Sequence, residues 1–267
     1  SRRSEALEKR AFDALQRSLE TTGTGAASGA LAMAVGVLEE RALWHPLVAL
    51  YKRALEAPGL AGAKAETHLA LGMLYRDRIG DPLKACEQWR RSLELDPSNG
   101  KAFAALESWY RDSGDWEPLL VIYETDAAFA TDASHKAARF AAMADIRREQ
   151  LGDAAGAAAD LKRAMEARGV TEPDLAIKYD EALASAGKWA ELVERLLARA
   201  GATASPAAAA GLSIKAADVL AEKLADLDRA EKLYEAAREH AMHPAEPLLG
   251  LERVYRKQAR FDRLVPV

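Results

Sequence analysis

The chain repeats a short motif at a nearly constant interval of about 73 residues. The motif is an aromatic residue followed, three and four positions later, by two aliphatic residues. It begins at Trp44, Trp116, Trp189 and Phe261. A constant spacing is typical of stacked architectures, in which each unit buries its apolar face against the next. The spacing therefore favours an array of repeated units, and a binding scaffold over an enzyme.

A second series of residues runs out of phase with the aromatic motif. Gly80-Asp81 recurs as Gly152-Asp153 and Ala225-Asp226, with the same period as the aromatic motif. A small residue follows each pair at an equivalent place, as Ala85, Ala157 and Ala230. Each period therefore divides into two alternating hairpins, each about half a period long.

Apolar residues recur every three or four positions, as in Leu69, Met73 and Leu74, and never alternate strictly. This is helical spacing, and it predicts about 15 helices and no strand. The expected fold class is all-α, a right-handed superhelical solenoid of antiparallel helical hairpins. We expect one domain of about seven hairpins over residues 1–267. Residues 1–20 match a second helix without its first, and residues 260–267 begin a second helix, so the sequence suggests part of a longer array with open ends.

Charge and cysteine content exclude several classes of function. The 37 basic and 41 acidic residues are interleaved and give a net charge of −4, which offers no electrostatic reason to bind nucleic acid or anionic lipid. The single cysteine, Cys86, cannot form an internal disulfide and fits a reducing compartment. The apolar run from Gly29 to Leu38 is too short to cross a bilayer, so membrane insertion is not expected. We expect a cytoplasmic protein, with the periplasm as the alternative.

The run from His68 to Tyr75, with Ala85, Trp89 and Pro97 after it, resembles the tetratricopeptide repeat (TPR) pattern, with one residue inserted in the turn. The segment from Phe103 to Tyr123 gives a second match. The chain is thus similar to a divergent, bacterial-type TPR array with alternating hairpins. The resemblance implies that the first helix of each hairpin lines a concave face.

One well-known TPR subclass grips a C-terminal carboxylate with a Lys and Asn pair on these first helices. The matching positions here are held by other residues: Leu69 with Met73, Ala104 with Ser108, and Phe140 with Ala144. The resemblance therefore does not extend to chaperone-tail recognition.

Arginines recur at one turn of the predicted first helices, at Arg76, Arg111 and Arg147 and later at Arg256. Side by side, the first three would form a ladder suited to the carboxylates of an acidic or extended peptide. Leu69, Met73 and Phe140 are the expected apolar contacts on the same face. The alternative is that these arginines are solvated and neutralised by neighbouring acids such as Asp77 and Asp112.

Other motifs that could carry chemistry have structural interpretations. The recurring tryptophans share one helical position and are expected to pack rather than to stack on a ligand. His240 and His243 lie where Pro244 ends a helix, which argues against a metal site. Cys86 is expected to be an inert core thiol, and the Gly-rich segment 22–29 lacks the strand and the Lys of a phosphate loop. No catalytic residue, metal or cofactor is predicted.

The sequence predicts a noncatalytic protein–protein interaction scaffold that binds a peptide segment or a folded partner on its concave face. A structural or assembly subunit that joins other copies through open array ends is the alternative. A regulatory domain of a larger enzyme is a third hypothesis.

Overall fold

The computed structural model describes residues 9, 10, 13, 24–169 and 173–263. These residues form thirteen α-helices and no strand. The helices are α1 (Thr24–Glu40), α2 (Trp44–Glu56), α3 (Lys64–Leu74), α4 (Pro82–Leu95), α5 (Gly100–Ser113), α6 (Trp116–Phe129), α7 (Ala133–Glu149), α8 (Ala154–Arg168), α9 (Pro173–Ser185), α10 (Trp189–Ala202), α11 (Pro206–Val219), α12 (Leu227–Ala237) and α13 (Ala245–Lys257). The predicted all-α helical-repeat fold is confirmed.

The chain divides into two compact units, residues 1–139 and 140–267, with the boundary inside α7. A single continuous solenoid over the whole chain stays a prediction. The expectation of open ends rests on residues 1–20 and 260–267, most of which lie outside the described residues. None of the helices in the described ranges has the length and apolar character needed to span a bilayer.

Residues with positive φ mark the turns inside the hairpins. They are Ala42, Gly80, Gly114, Gly152, Gly187, Ala225 and Ala259, and Gly169 at the end of α8 has a positive φ as well. A left-handed residue just after a helix reverses the chain and lets amide groups beyond the turn reach the last carbonyls of the helix. In each hairpin we call the helix before this residue the first helix and the helix after it the second.

The turns inside the hairpins are of two kinds, which alternate along the chain. In the short-turn hairpins the amide after the left-handed residue donates to the carbonyl five residues earlier, as Asp115 does to Tyr110 at 2.9 Å. In the long-turn hairpins it donates six residues back, as Asp81 does to Tyr75 and Asp226 to Leu220, both at 3.0 Å. The alternating hairpins predicted from the two sequence series are therefore present, and they differ by one residue in their turns.

In two long-turn hairpins the inserted residue is accommodated by a π-helical turn, at Tyr75–Ile79 and Leu220–Leu224. A π turn contains one residue more than an α-helical turn, so the extra residue fits without interrupting the helix. An aspartate then caps the second helix: Asp81 accepts a hydrogen bond from the Lys84 amide at 3.0 Å, and Asp226 accepts one from the Arg229 amide at 3.2 Å. The Gly-Asp pairs of the sequence are thus a left-handed residue followed by a helix N-cap.

Each unit has its own core between the paired helices. In unit 1 (residues 1–139) the largest fully buried side chains include Trp89, Leu71 and Leu106, and in unit 2 (residues 140–267) they include Leu183 and Tyr234. Trp44, Trp116 and Trp189 each begin a second helix, as predicted, and are half-buried. The Arg78 guanidinium lies 4.9 Å from the centroid of the Trp44 ring, and the Lys223 ammonium 5.3 Å from that of Trp189. These tryptophans pack within the repeat.

Candidate partner-binding groove

The apolar residues predicted for a partner surface differ in accessibility. Leu69 and Phe140 lie in the core, with 5% and 4% of their surface exposed. Met73 is half-buried and lines a cavity in unit 1. Of the three, only Met73 therefore offers a side chain to a partner.

Each predicted arginine is already paired with a carboxylate of its own unit. Arg76 is half-exposed and donates from Nε to Asp77 at 2.6 Å, and this hydrogen bond lowers the pKa of the Asp77 carboxyl. Arg111 donates to the Tyr123 hydroxyl at 2.6 Å and lies 3.5 Å from Glu107. The charges at these two positions are largely compensated before any partner arrives.

Arg147 is held more firmly than the other two arginines. It donates from Nε to Asp160 at 2.8 Å and from Nη1 to Asp153 at 3.0 Å. Asp160 is buried, and burial raises the pKa of its carboxyl. Each of the three arginines thus has a carboxylate partner close by, and a ladder that joins them stays a prediction.

A cavity of the same kind lies in each unit. The unit 1 cavity has a volume of about 420 Å³ and lies between α1, α2 and α3 with its π turn. The unit 2 cavity has a volume of about 390 Å³ and lies between α9, α10 and α11. Six lining positions correspond, each two repeat periods apart: Glu39 with Ala184, Leu47 with Leu192, Tyr51 with Leu196, Ala70 with Lys215, Met73 with Asp218, and Leu74 with Val219. The cavity is thus a product of the hairpin geometry, and its chemistry is set by the residues at each copy.

Unit 2 has a further cavity that adjoins the first. It has a volume of about 660 Å³ and lies between α11 and α13, which are the first helices of successive hairpins. Lys215 and Asp218 on α11 line both cavities. We call the two cavities together the unit 2 groove. It crosses three consecutive first helices, α9, α11 and α13.

Three large residues lie in the groove at positions where earlier copies of the repeat have alanine. In the short-turn hairpins the position is occupied in turn by Ala32, Ala104, Ile177 and Leu249, each one repeat period after the last. In the long-turn hairpins it is occupied by Ala70, Ala142 and Lys215, with the same spacing. We call Ile177, Lys215 and Leu249 the groove row.

The two apolar members of the groove row are accessible. Ile177 is 52% exposed and Leu249 is 57% exposed, and Lys215 between them is exposed as well. Because alanine occupies the equivalent positions elsewhere, the hairpin fold does not require large side chains here. The groove row therefore forms a local surface in which the cationic Lys215 lies between the apolar Ile177 and Leu249.

Two acidic residues on the walls of the groove, Asp180 and Asp218, are tied to neighbouring side chains. Asp180 accepts a hydrogen bond from Arg195 at 2.6 Å and a second, very short one from Arg199. Asp218 accepts hydrogen bonds at 2.6 Å from both the Tyr234 hydroxyl and Arg253. Burial and the Asp218 carboxylate together raise the pKa of the Tyr234 hydroxyl. These contacts compensate the charges of Asp180 and Asp218 and fix their side chains.

Lys215 differs from these wall residues because its ammonium has no carboxylate within ion-pairing distance in the described part of the chain. Glu181 and Glu246 likewise have no ion pair among the described residues, and each lines only one of the two cavities. Lys215 is therefore the cation that both cavities share.

The described residues contain no group of three or more His, Cys, Asp or Glu side chains arranged to hold a metal ion. His240 and His243 follow the end of α12 at Ala237, in the irregular segment before α13. The Cys86 thiol is half-buried, 3.7 Å from the Tyr110 hydroxyl, and burial raises its pKa. A thiol with a raised pKa is mostly protonated at neutral pH and is a poor nucleophile.

Comparisons with known proteins find similarity to solved structures only. No family model matches the chain, and no curated protein matches it. YrrB, described as a TPR protein with an unusual peptide-binding site, is 16% identical over 76% of this chain and 97% of its own, with a TM-score of 0.36. A tetratricopeptide repeat protein from Parabacteroides merdae is 15% identical over 88% of both chains, with a TM-score of 0.37.

A chain of the structure of Naa15/Naa10 bound to HypK-THB is 17% identical to this protein over 96% of this chain and 41% of its own, with a TM-score of 0.45. The class to which the present chain is assigned follows from its own hairpins: the left-handed turns, the Asp N-caps and the run from His68 to Tyr75. The chain is an array of antiparallel helical hairpins, and its run from His68 to Tyr75 resembles the TPR pattern.

Proposed function

We propose that this chain is a noncatalytic interaction scaffold that binds a segment of another protein in the unit 2 groove. The observation that carries the proposal is the groove row, in which Ile177 and Leu249 replace the alanines of earlier copies and remain more than half exposed. Exposed aliphatic side chains at the walls of a concave surface are typical of sites that a partner covers.

Covering these two side chains contributes to the free energy of peptide binding. Full burial of an Ile or Leu side chain stabilises by roughly 1.5–3 kcal/mol, and about half of that remains to be gained here. Two anchors of about 1 kcal/mol each, together with backbone contacts along the groove, support binding in the range expected of a transient interaction.

The walls of the groove favour such binding because they are already ordered. Asp180 is held by Arg195 and Arg199 from the second helix of its own hairpin, and Asp218 is held by Arg253 from the next first helix. A surface whose side chains are fixed before binding loses less conformational entropy when the partner arrives. The groove is thus suited to capture an extended or helical segment without rearrangement.

The proposal can be tested by selecting peptides from a displayed random library on the whole chain. Ile177→Ala combined with Leu249→Ala restores the residues found in the earlier copies and should leave the fold intact. The matched control combines Met33→Ala with Val121→Ala, because both residues are exposed and lie in unit 1. We expect selected peptides to lose roughly tenfold or more in affinity for the groove variant and to bind the control as they bind the parent chain.

Two outcomes would overturn the proposal. The selection could yield no peptide that binds the chain above background. The selected peptides could also bind the groove variant as tightly as the parent chain, which would place their site elsewhere.

A further inference from the structure

Resting on the proposed function, we infer that the unit 2 groove selects a segment in which one acidic side chain lies between two apolar ones. The apolar side chains occupy the two cavities, and the acidic side chain pairs with Lys215, which lines both of them.

The pattern of ion pairs in the groove supports an acidic residue at its centre. The carboxylates of Asp180, Asp218 and Glu252 each accept hydrogen bonds or ion pairs from arginines, with Arg256 lying 2.6 Å from Glu252. Lys215 has no such partner among the described residues. An acidic group placed at the centre of the groove would therefore complete a pair, whereas a basic group there would meet an uncompensated ammonium.

The second support is the apolar lining on both sides of Lys215. On one side Ile177, Leu212 and Val219 line the smaller cavity. On the other side Ile214 and Leu249 line the larger one. Aliphatic side chains of a partner fit these walls, and their burial supplies most of the affinity. The ion pair with Lys215 then determines which type of residue lies between the two apolar residues of the partner.

The third support concerns how many acidic residues the groove accepts. Glu181 lines the smaller cavity and Glu246 the larger one, and neither has an ion pair within the described ranges. Additional carboxylates on the partner would come near these two and be repelled. The groove thus favours a single acidic residue over an acidic tract.

The experiment uses the peptides selected on the whole chain and compares each acidic peptide with its Glu→Gln or Asp→Asn counterpart. Lys215→Ala is the test variant, because Ala70 and Ala142 occupy the equivalent positions, and we expect the substitution to keep the fold. Lys232→Glu is the control for a change of charge on the surface of unit 2 outside the groove. Affinities are measured at low and at high salt.

We expect the neutral peptide to bind the parent chain roughly two- to fivefold more weakly than the acidic peptide, as for other exposed ion pairs. The ratio of the affinities of the acidic and the neutral peptide should fall to about one in Lys215→Ala and stay unchanged in Lys232→Glu. It should also fall as salt rises, since screening weakens exposed pairs. A charge exchange, Lys215→Glu with a basic residue in the peptide, should restore the discrimination.

Two results would overturn this inference. Acidic and neutral peptides could bind the parent chain equally, or the preference for the acid could persist in Lys215→Ala. If binding still depends on Ile177 and Leu249 in either case, the inference fails while the proposed function stands. If binding depends on none of Ile177, Lys215 and Leu249, both the inference and the proposed function fail.

Discussion

The indole of Trp89 lies directly against the backbone of Gly72, on the facing helix of the same hairpin. A Cβ at Gly72 would overlap the Nε1 and Cδ1 atoms of the indole and lie 3.2 Å from the Ala85 carbonyl oxygen. Trp89 is 1% exposed, so the ring has no free direction in which to move. The contact explains why a glycine occupies this position in α3, where it lowers the intrinsic helix propensity.

Replacing this glycine should destabilise unit 1. Gly72→Ala forces the buried indole out of place, and overpacking of this kind costs roughly 1–3 kcal/mol. The free energy of unfolding from urea titration checks the effect. Gly36→Ala in α1 is the control, because nothing lies within 4 Å of its added methyl group, and a Gly to Ala change in a helix should stabilise by up to about 1 kcal/mol. Equal effects of the two substitutions would contradict the packing account.

The left-handed turn residues predict stability changes of opposite sign. Ala225 has a φ of 55°, a conformation that strains a residue with a Cβ, so Ala225→Gly should stabilise by roughly 0.5–1 kcal/mol. Gly152→Ala at the equivalent turn should destabilise by about 1 kcal/mol, since no atom within 4 Å of the new Cβ adds a packing effect. Thermal unfolding of both variants checks the signs. A destabilised Ala225→Gly would show that this turn is not left-handed in solution.

The two arginines on Asp180 predict a large effect of removing its charge. Asp180→Asn leaves Arg195 and Arg199, both mostly buried, without a counter-ion, and we expect a loss of roughly 2–4 kcal/mol in the unfolding free energy. Asp77→Asn removes the charge from a half-exposed pair and should cost at most about 1 kcal/mol. Denaturant titrations of the two variants provide the comparison. Similar losses would mean that the wall of the groove is no better fixed than the exposed surface.

Tyr179 predicts a specific alkaline titration. Its hydroxyl donates to Glu191 at 2.8 Å, and burial, followed by Glu191, raises its pKa to about 12. The stability linked to this raised pKa is present below the ordinary tyrosine pKa near 10 and is lost as pH rises from there to about 12. Tyr179→Phe should therefore leave the phenolate absorbance unchanged up to about pH 11 while the chain remains folded. A missing titration step near pH 10 in the variant would contradict this.

The sequence was sufficient to predict the alternating hairpins, because Trp44, Trp116 and Trp189 and the Gly-Asp pairs mark helix starts and turns that are local in sequence. It was less informative about which helix face is accessible. Leu69 was expected on the concave face, but it lies in the core. The next position, which is Ala70 here and Lys215 two periods later, lines a cavity in each unit.

The partners of the arginines could not be predicted from spacing alone. Arg147 and Asp160 are 13 residues apart and lie on the two helices of one hairpin, so their pairing depends on the packing of both helices. The groove row did leave a signal in the sequence, which is the change from Ala32 and Ala104 to Ile177 and Leu249 at the repeat spacing. This change indicates a partner surface only when the exposure of Ile177 and Leu249 is known.

We propose that a partner segment lies along α9, α11 and α13. The most direct measurement is methyl NMR of the chain, titrated with a peptide selected for binding. We predict that the methyl resonances of Ile177 and Leu249 shift first and most, together with those of Ile214 and Leu212, and that the exposed methyl groups of Met33 and Val121 do not shift. Shifts confined to Met33, Val121 or other methyl groups of unit 1, with those of the groove row unchanged, would contradict the account.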